Sequence, residues 1–182
     1  MNTPNKLTVL RVILVPVFMA FMMIDFPFSK IIGLAVFIIA SITDWLDGYL
    51  ARKYNLITSF GKFMDPLADK MLTTAAFLVL MADGWISAWV LMIVLTREFM
   101  VMGVRLAAVT EGKVIAASMW GKAKTVAQMI AIIISIVLVS VPGLDSSICS
   151  IIVNVLIWIS TVLTVISGID YLVKNKEFVR VM

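Results

Sequence analysis

The chain has 182 residues, of which 62% are hydrophobic and 14% are charged, and its mean hydropathy is +1.09. This composition is typical of an integral membrane protein and excludes an ordinary soluble enzyme. The net charge of +4 does not indicate nucleic-acid binding, because the basic residues gather at the ends of apolar stretches. A single cysteine, Cys149, and no histidine exclude an internal disulfide and a Cys/His metal site.

Six apolar stretches are long enough to cross a bilayer, which takes about 20 residues each. They run over Leu7 to Ile24, Lys30 to Arg52, Gly61 to Ala82, Trp85 to Val109, Gly121 to Val141 and Ser147 to Val173. The sequence therefore predicts an all-α integral membrane protein with six transmembrane helices and a single domain, residues 1–182.

The positions of the charges predict how these helices are oriented. Except for Lys30 and Arg97, the 15 Lys and Arg residues lie at the N-terminus, the second and fourth connections, the C-terminus or the adjoining helix ends. The outer turns instead carry Asp25, Asp83 and Asp145. By the positive-inside rule we expect a multi-pass protein of the cell (inner or plasma) membrane, with both termini in the cytoplasm.

The first predicted helix begins with three polar side chains, Asn5, Thr8 and Arg11, spaced i, i+3 and i+6. These residues and the long apolar stretch favour a retained helix over a signal peptide. Purely structural interpretations are that Thr3 or Asn5 caps the helix and that Arg11 reaches out to the lipid head groups.

The most informative stretch lies between the second and third helices. It reads DWLDGYLARKYNLITSFGKFMDPLAD and contains the four aspartates Asp44, Asp47, Asp65 and Asp69. Carboxylates are costly inside a membrane and mark functional sites there. On a helix the first two are about 60° apart and the last two about 40° apart, so each pair shares a face and can chelate.

An antiparallel hairpin that turns near Tyr54 to Ser59 would bring the two pairs together. Asp44 and Asp69 then lie at one depth, and Asp47 and Asp65 lie nearer the turn. We therefore predict a cage of four carboxylates that opens to the cytoplasm. Helix capping and surface charge are the alternative, but they give no reason for the matched depths.

Four carboxylates held together repel one another unless they are protonated or neutralised by cations. Two divalent ions would balance their charge, and oxygen ligands without histidine favour Mg²⁺ or Mn²⁺ over Zn²⁺. Gly48, Ala51 and Gly61 leave room beside the cage for a ligand or a facing helix. Arg52 stands at the rim, where its planar guanidinium suits a phosphate.

Written as a spacing, D-x2-D-G-x2-A-R-x8-G-x3-D-x3-D resembles the signature of the CDP-alcohol phosphotransferases. These membrane enzymes join a CDP-activated group to an alcohol and release CMP. The resemblance implies that the four aspartates hold two metal ions and that Asp69 is also the catalytic base. It implies a CDP site lined by Gly48, Ala51, Arg52 and Gly61, bordered by Asn5 and Thr8, and a homodimer.

The polar Thr96 and the charged Arg97 and Glu98 occupy the middle of the fourth span. At that depth they must face the protein interior or a watery cavity. Arg105 lies eight residues after Arg97, about 80° round the helix, so both guanidinium groups can reach one cavity. One interpretation is a buried structural ion pair, and the other is a phosphate-binding pair.

The fifth helix opens with Ser118, Lys122 and Thr125 at i, i+4 and i+7, followed closely by Lys124. A helix start favours anions through its exposed N–H groups, so this stripe is a second candidate phosphate site. Attraction of Lys122 and Lys124 to anionic lipid head groups is the alternative, at about 1 kcal/mol each.

Less specific motifs indicate which branch of the family the chain resembles. Thr96-Arg97-Glu98-Phe99, the run Gly112 to Ser118, and Gly121 to Thr125 resemble the branch that transfers a phosphatidyl group from CDP-diacylglycerol to sn-glycerol 3-phosphate. This implies that the acceptor phosphate is bound by Arg11, Arg97, Arg105, Ser118, Lys122, Lys124 and Thr125. Another alcohol acceptor such as inositol phosphate, an ion-coupled transporter and a structural scaffold remain as alternatives.

Overall fold

The computed structural model describes residues 3–54, 59–110, 112–113, 115, 118–141 and 143–179, and these residues contain helices and no strand. The helices are α1 (Thr3–Met23), α2 (Ser29–Lys53), α3 (Ser59–Ala82), α4 (Ala88–Thr110), α5 (Met119–Ser140), α6 (Ser146–Lys174) and α7 (Lys176–Val179). Each predicted apolar stretch overlaps one of the six long helices, and the stretches 7–24, 85–109 and 121–141 extend one to three residues beyond theirs. The helices confirm the all-α prediction. The short α7 has no counterpart in the hydropathy pattern.

Four of the described helices are long and apolar enough to cross a membrane. They include the segments Asn5–Met23, Ser29–Leu50, Met119–Ser140 and Ser146–Lys174. Helices α3 and α4 fall outside this group because they are more highly charged. Every 18-residue stretch of α3 contains Asp65, Asp69 and Lys70, and every such stretch of α4 contains Arg97, Glu98 and Arg105.

The helix ends follow local rules of capping. Asp145 precedes α6 and its Oδ1 accepts a hydrogen bond from the Ser147 N–H at 2.8 Å, as an N-cap does. After α4, Gly112 has a φ of 74°, and the Lys113 N–H donates to the Ala108 carbonyl at 2.9 Å. A glycine suits this left-handed position because it has no Cβ.

The chain forms two compact units, Met1–Asp83 with Ile136–Leu144, and Gly84–Ser135 with Asp145–Met182. In the first unit α1 packs against both α2 and α3. The rings of Phe18 and Phe37 lie 5.5 Å apart at the centre of the α1–α2 contact. These contacts bring the polar start of α1 to the acidic half of α2.

In the second unit α4 packs against α6 and the short α7. Its buried cluster joins these three helices and consists of Val101, Val104, Ala108, Tyr171 and Phe178. This packing directs one face of α4 toward α6, and that face carries the basic residues described below.

Candidate active site

The boundaries of α2 and α3 support the two predicted layers of aspartates. Asp44 lies nine residues before the end of α2, and Asp69 lies ten residues after the start of α3. Asp47 and Asp65 each lie six residues from those ends. At about 1.5 Å per residue, the layers are about 14 Å and 9 Å from the helix ends.

Arg11 of α1 brings the two carboxylates of α2 together. Its Nη1 lies 2.5 Å from Asp44 Oδ1, and its Nη2 donates to Asp47 Oδ2. Arg11 is 0% exposed and Asp47 is 3% exposed, whereas the Asp44 side chain is partly open. The interpretation that Arg11 reaches the lipid head groups is therefore wrong, and its phosphate-binding role stays a prediction.

Asn5 and Thr8 are buried on the same face of α1 as Arg11. Because Asn5 lies inside α1, it does not cap the helix. Buried polar side chains need hydrogen-bonding partners, so a polar stripe that faces the protein interior indicates a polar site there. The i, i+3, i+6 spacing thus marks the inner face of α1, beside the Asp44–Asp47 pair.

Asp69 differs from Asp47 in being open to solvent. Its side chain is 42% exposed, and its Oδ2 lies 3.9 Å from Lys70 Nζ. A long ion pair between two exposed groups contributes little to stability. Asp69 is therefore accessible to a ligand.

Part of the predicted site lies outside what the structure describes. The turn at residues 55–58 and the side chains of Ala51, Arg52, Gly61 and Asp65 belong to that part. Among the described side chains, no group of three or more His, Cys, Asp or Glu residues could hold a metal ion. The four-carboxylate cage therefore stays a prediction.

The described carboxylates do fit a cation. Oxygens of Asp44 and Asp47 converge on one positively charged group, the Arg11 guanidinium. Carboxylate oxygens are also the ligands that Mg²⁺ and Mn²⁺ prefer. The donor set of α2 is thus compatible with the predicted divalent ions.

In the second unit a buried charge network joins α4, α5 and α6. Glu98 Oε1 accepts a hydrogen bond from Arg97 Nη1 at 3.1 Å and another from Lys124 Nζ. Arg97 Nη2 donates to Ser167 Oγ at 2.7 Å. All four residues are buried, so the structural interpretation of Arg97 and Glu98 as a buried ion pair is confirmed.

Gly168 makes room for the Arg97 side chain on α6. A Cβ at this position would lie 2.9 Å from Arg97 Cγ, closer than real Cβ contacts come. Sequence analysis missed both Ser167 and Gly168. The signal that could have found them is the row of small residues Ser160, Thr164, Ser167 and Gly168 on one face of α6, because small residues let helices approach closely.

Arg105 faces the same side of α6 as Arg97. Its Nε lies 3.3 Å from the Tyr171 hydroxyl, and its guanidinium carbon lies 5.7 Å from the centre of that ring. Tyr171 follows Ser167 by one helical turn, so α6 aligns both arginines along one face. Within the described part of this network, three cations, Arg97, Arg105 and Lys124, accompany the Glu98 carboxylate, so the network carries net positive charge. The nearby Asp170 of α6 is paired with Lys174.

The start of α5 differs from the predicted stripe. Lys124, rather than Lys122, points inward; it is 4% exposed and contacts Glu98. The lipid head-group interpretation of Lys124 is therefore wrong. Lys122 and Thr125 are exposed, and Ser118 Oγ accepts the Gly121 N–H at 3.1 Å, as a helix cap does.

Comparison with known proteins agrees with this description. Residues 1–166 match the CDP-alcohol phosphatidyltransferase family. The chain is 41% identical to the CDP-diacylglycerol–glycerol-3-phosphate 3-phosphatidyltransferase of Bacillus subtilis, over 98% of this chain and 97% of that protein. It is 36% identical to the enzyme of the same name from Rickettsia bellii, over 97% of each chain.

A third relative of that name, from Haemophilus influenzae, is 39% identical over 94% of this chain and 91% of its own length. The family match covers the aspartate stretch and helices α4 and α5. The chain belongs to the CDP-alcohol phosphatidyltransferase family.

Proposed function

We propose that this protein transfers the phosphatidyl group of CDP-diacylglycerol to sn-glycerol 3-phosphate, forming phosphatidylglycerophosphate and CMP. The observation that carries the proposal is the near-full-length similarity to enzymes of that name. The aspartate signature is complete in this chain. The protein thus acts in phospholipid biosynthesis.

The proposal includes six membrane spans. Helices α3 and α4 have 24 and 23 residues, longer than three of the four apolar spans, and their charges are those of the candidate site. Polar groups within spans face the protein interior or a watery cavity, so charge does not prevent these helices from spanning. With both termini in the cytoplasm, the aspartates open toward the side where nucleotides are found. A homodimer, implied by the family resemblance, belongs to the same proposal.

Asp44, Asp47, Asp65 and Asp69 are the residues proposed to hold two Mg²⁺ or Mn²⁺ ions. When bound, such ions stabilise the negative charge that develops on the CMP leaving group. Asp69 accepts the proton of the glycerol hydroxyl, which then attacks the phosphorus that carries diacylglycerol. The exposure of Asp69 suits this role, because its acceptor substrate arrives from water.

The second unit supplies the proposed acceptor site. Arg105, Lys122 and Thr125 are exposed and can contact the phosphate of glycerol 3-phosphate. Arg97 and Lys124 are held by Glu98 and add positive charge to the same unit. A phosphate dianion is favoured by such an excess of basic groups, whereas serine, which has no phosphate, fits poorly.

Release of CMP by the purified protein tests the reaction. We expect CMP from CDP-diacylglycerol only when both glycerol 3-phosphate and Mg²⁺ or Mn²⁺ are present, and none after chelation. Inositol phosphate and serine serve as alternative acceptors in the same assay. Acceptor-independent release, or full activity after rigorous chelation, would refute the proposal.

Replacing Arg105 with glutamine tests the acceptor site. We expect the KM for glycerol 3-phosphate to rise about 10- to 100-fold, the amount that corresponds to one lost hydrogen bond to a charged group. The KM for CDP-diacylglycerol should stay within about twofold of its original value, well below the tenfold that 1.4 kcal/mol represents. Lys113→Gln, which removes an exposed charge just after α4, is the matched control. Equal changes in both KM values would instead indicate a general interaction with lipid.

A further inference from the structure

The proposed reaction assigns no role to the contact between Arg11 and the carboxylates of α2. Arg11 is 0% exposed, and its two terminal nitrogens are both directed at carboxylates, those of Asp44 and Asp47. Its Nε has no hydrogen-bond partner among the described residues. The guanidinium is thus held in place mainly by two carboxylates that are themselves predicted to bind metal.

A guanidinium and a divalent cation seek the same oxygen atoms. Asp44 Oδ1 and Asp47 Oδ2 face Arg11, and a cation bound to this pair would meet the fixed positive charge at close range. Repulsion between like charges is strong where water is excluded, and neither Arg11 nor Asp47 is open to water. Arginine cannot relieve the repulsion by losing its proton.

We propose that Arg11 is a built-in counter-cation that pairs Asp44 with Asp47 and competes with the divalent ion for their oxygens. Arg11 therefore acts as a positioning residue that sets the metal affinity of the site. The inference rests on the proposed metal centre. Its physical consequence is that metal affinity and the stability of the protein without metal are linked through one side chain.

Removing the charge should tighten metal binding. For Arg11→Gln we expect the dissociation constant of Mn²⁺, measured from the electron paramagnetic resonance signal of the free ion, to fall about tenfold, a typical coupling between two competing ligands. Arg11→Lys keeps the charge but has one nitrogen and cannot bridge two carboxylates as the planar guanidinium does. Its dissociation constant should lie between those of the wild type and Arg11→Gln.

Although Arg11→Gln should bind Mn²⁺ more tightly, it should be less stable than the wild type when no metal is bound. In the presence of chelator, Arg11→Gln removes the positive charge that contacts the buried Asp47 carboxylate, so the protein should unfold at a lower temperature than the wild type. Saturating Mn²⁺ stabilises the form that binds it and should narrow or reverse this difference. A residue with only a structural role would lower the unfolding temperature equally under both conditions.

The control variant is Lys6→Gln, which removes an exposed positive charge from the same helix. It should leave the Mn²⁺ dissociation constant unchanged. If the full-length wild-type protein binds no Mn²⁺, the proposed metal centre and this inference both fail. If the wild type binds Mn²⁺ but neither Arg11→Gln nor Arg11→Lys binds it more tightly, the metal centre stands and the counter-cation role is refuted. If Arg11→Gln does not fold, the Mn²⁺ dissociation constants of Arg11→Lys and the wild type are compared, and an Arg11→Lys value that is not lower refutes the counter-cation role.

Discussion

Replacing Asp69 with asparagine should lower kcat for CMP release at least about a thousandfold. A positioned general base contributes about 10²- to 10⁴-fold, and this carboxylate is also a proposed metal ligand. Asparagine has nearly the same size and shape, but its amide cannot accept the hydroxyl proton. Binding of CDP-diacylglycerol should be largely retained, because most of the proposed nucleotide contacts lie on other residues.

Steady-state CMP release and equilibrium binding of CDP-diacylglycerol measure the two effects separately. Asp83→Asn makes the same change just beyond the end of α3, where Asp83 forms a 3.4 Å ion pair with Lys30. This control should keep nearly full activity. Near-normal turnover by Asp69→Asn would show that another group removes the proton.

Replacing Glu98 with glutamine should strongly destabilise the protein. Arg97 and Lys124 would keep their charges inside the second unit but lose the carboxylate that both contact. Breaking a buried ion pair by removing one partner typically costs about 3–5 kcal/mol. We expect a large fall in the apparent unfolding temperature, accompanied by loss of activity.

Thermal unfolding in detergent micelles measures this effect. Glu177→Gln, which changes an exposed glutamate of α7, is the matched control and should unfold like the wild type. Adding Lys124→Met to Glu98→Gln removes one of the two cations that contact Glu98 in the wild type and should recover part of the lost stability. If Glu98→Gln alone unfolds like the wild type, the three-helix charge network does not stabilise the second unit.

The second unit contains two kinds of basic residue, buried ones that contact Glu98 and exposed ones that do not. Arg97 and Lys124 are buried and held by a carboxylate, whereas Arg105 and Lys122 are exposed. The ion pairs that Arg97 and Lys124 form with Glu98 and the phosphate binding proposed for Arg105 and Lys122 therefore concern different side chains. We expect buried-site variants to affect stability first and exposed-site variants to affect the acceptor KM first.

Helix positions and the acidic faces follow from the sequence alone. Apolar length predicts the six long helices, and the 3.6-residue period places Asp44 with Asp47 on one face. The observed ends of α2 and α3 keep the predicted order of the two layers but place both about 2 Å farther from the helix ends, because each helix extends beyond its predicted boundary. Helix positions and the residues that share a helix face depend on neighbours in the chain, so they can be predicted from residue spacing.

Only the tertiary structure decides which side chains meet. Arg11 pairs with carboxylates more than 30 residues away, Lys124 rather than Lys122 turns inward, and Gly168 admits Arg97. In a soluble protein an amphipathic pattern would reveal the buried face of each helix. Lipid tails are as apolar as the protein interior, so the apolar side chains of a spanning helix show no comparable contrast between its two sides. Only polar or small residues, such as the stripe of Asn5, Thr8 and Arg11 in α1, mark the buried face. The facing helix selects the buried side through close packing and charge pairing, and those contacts are not encoded in the spacing of either helix.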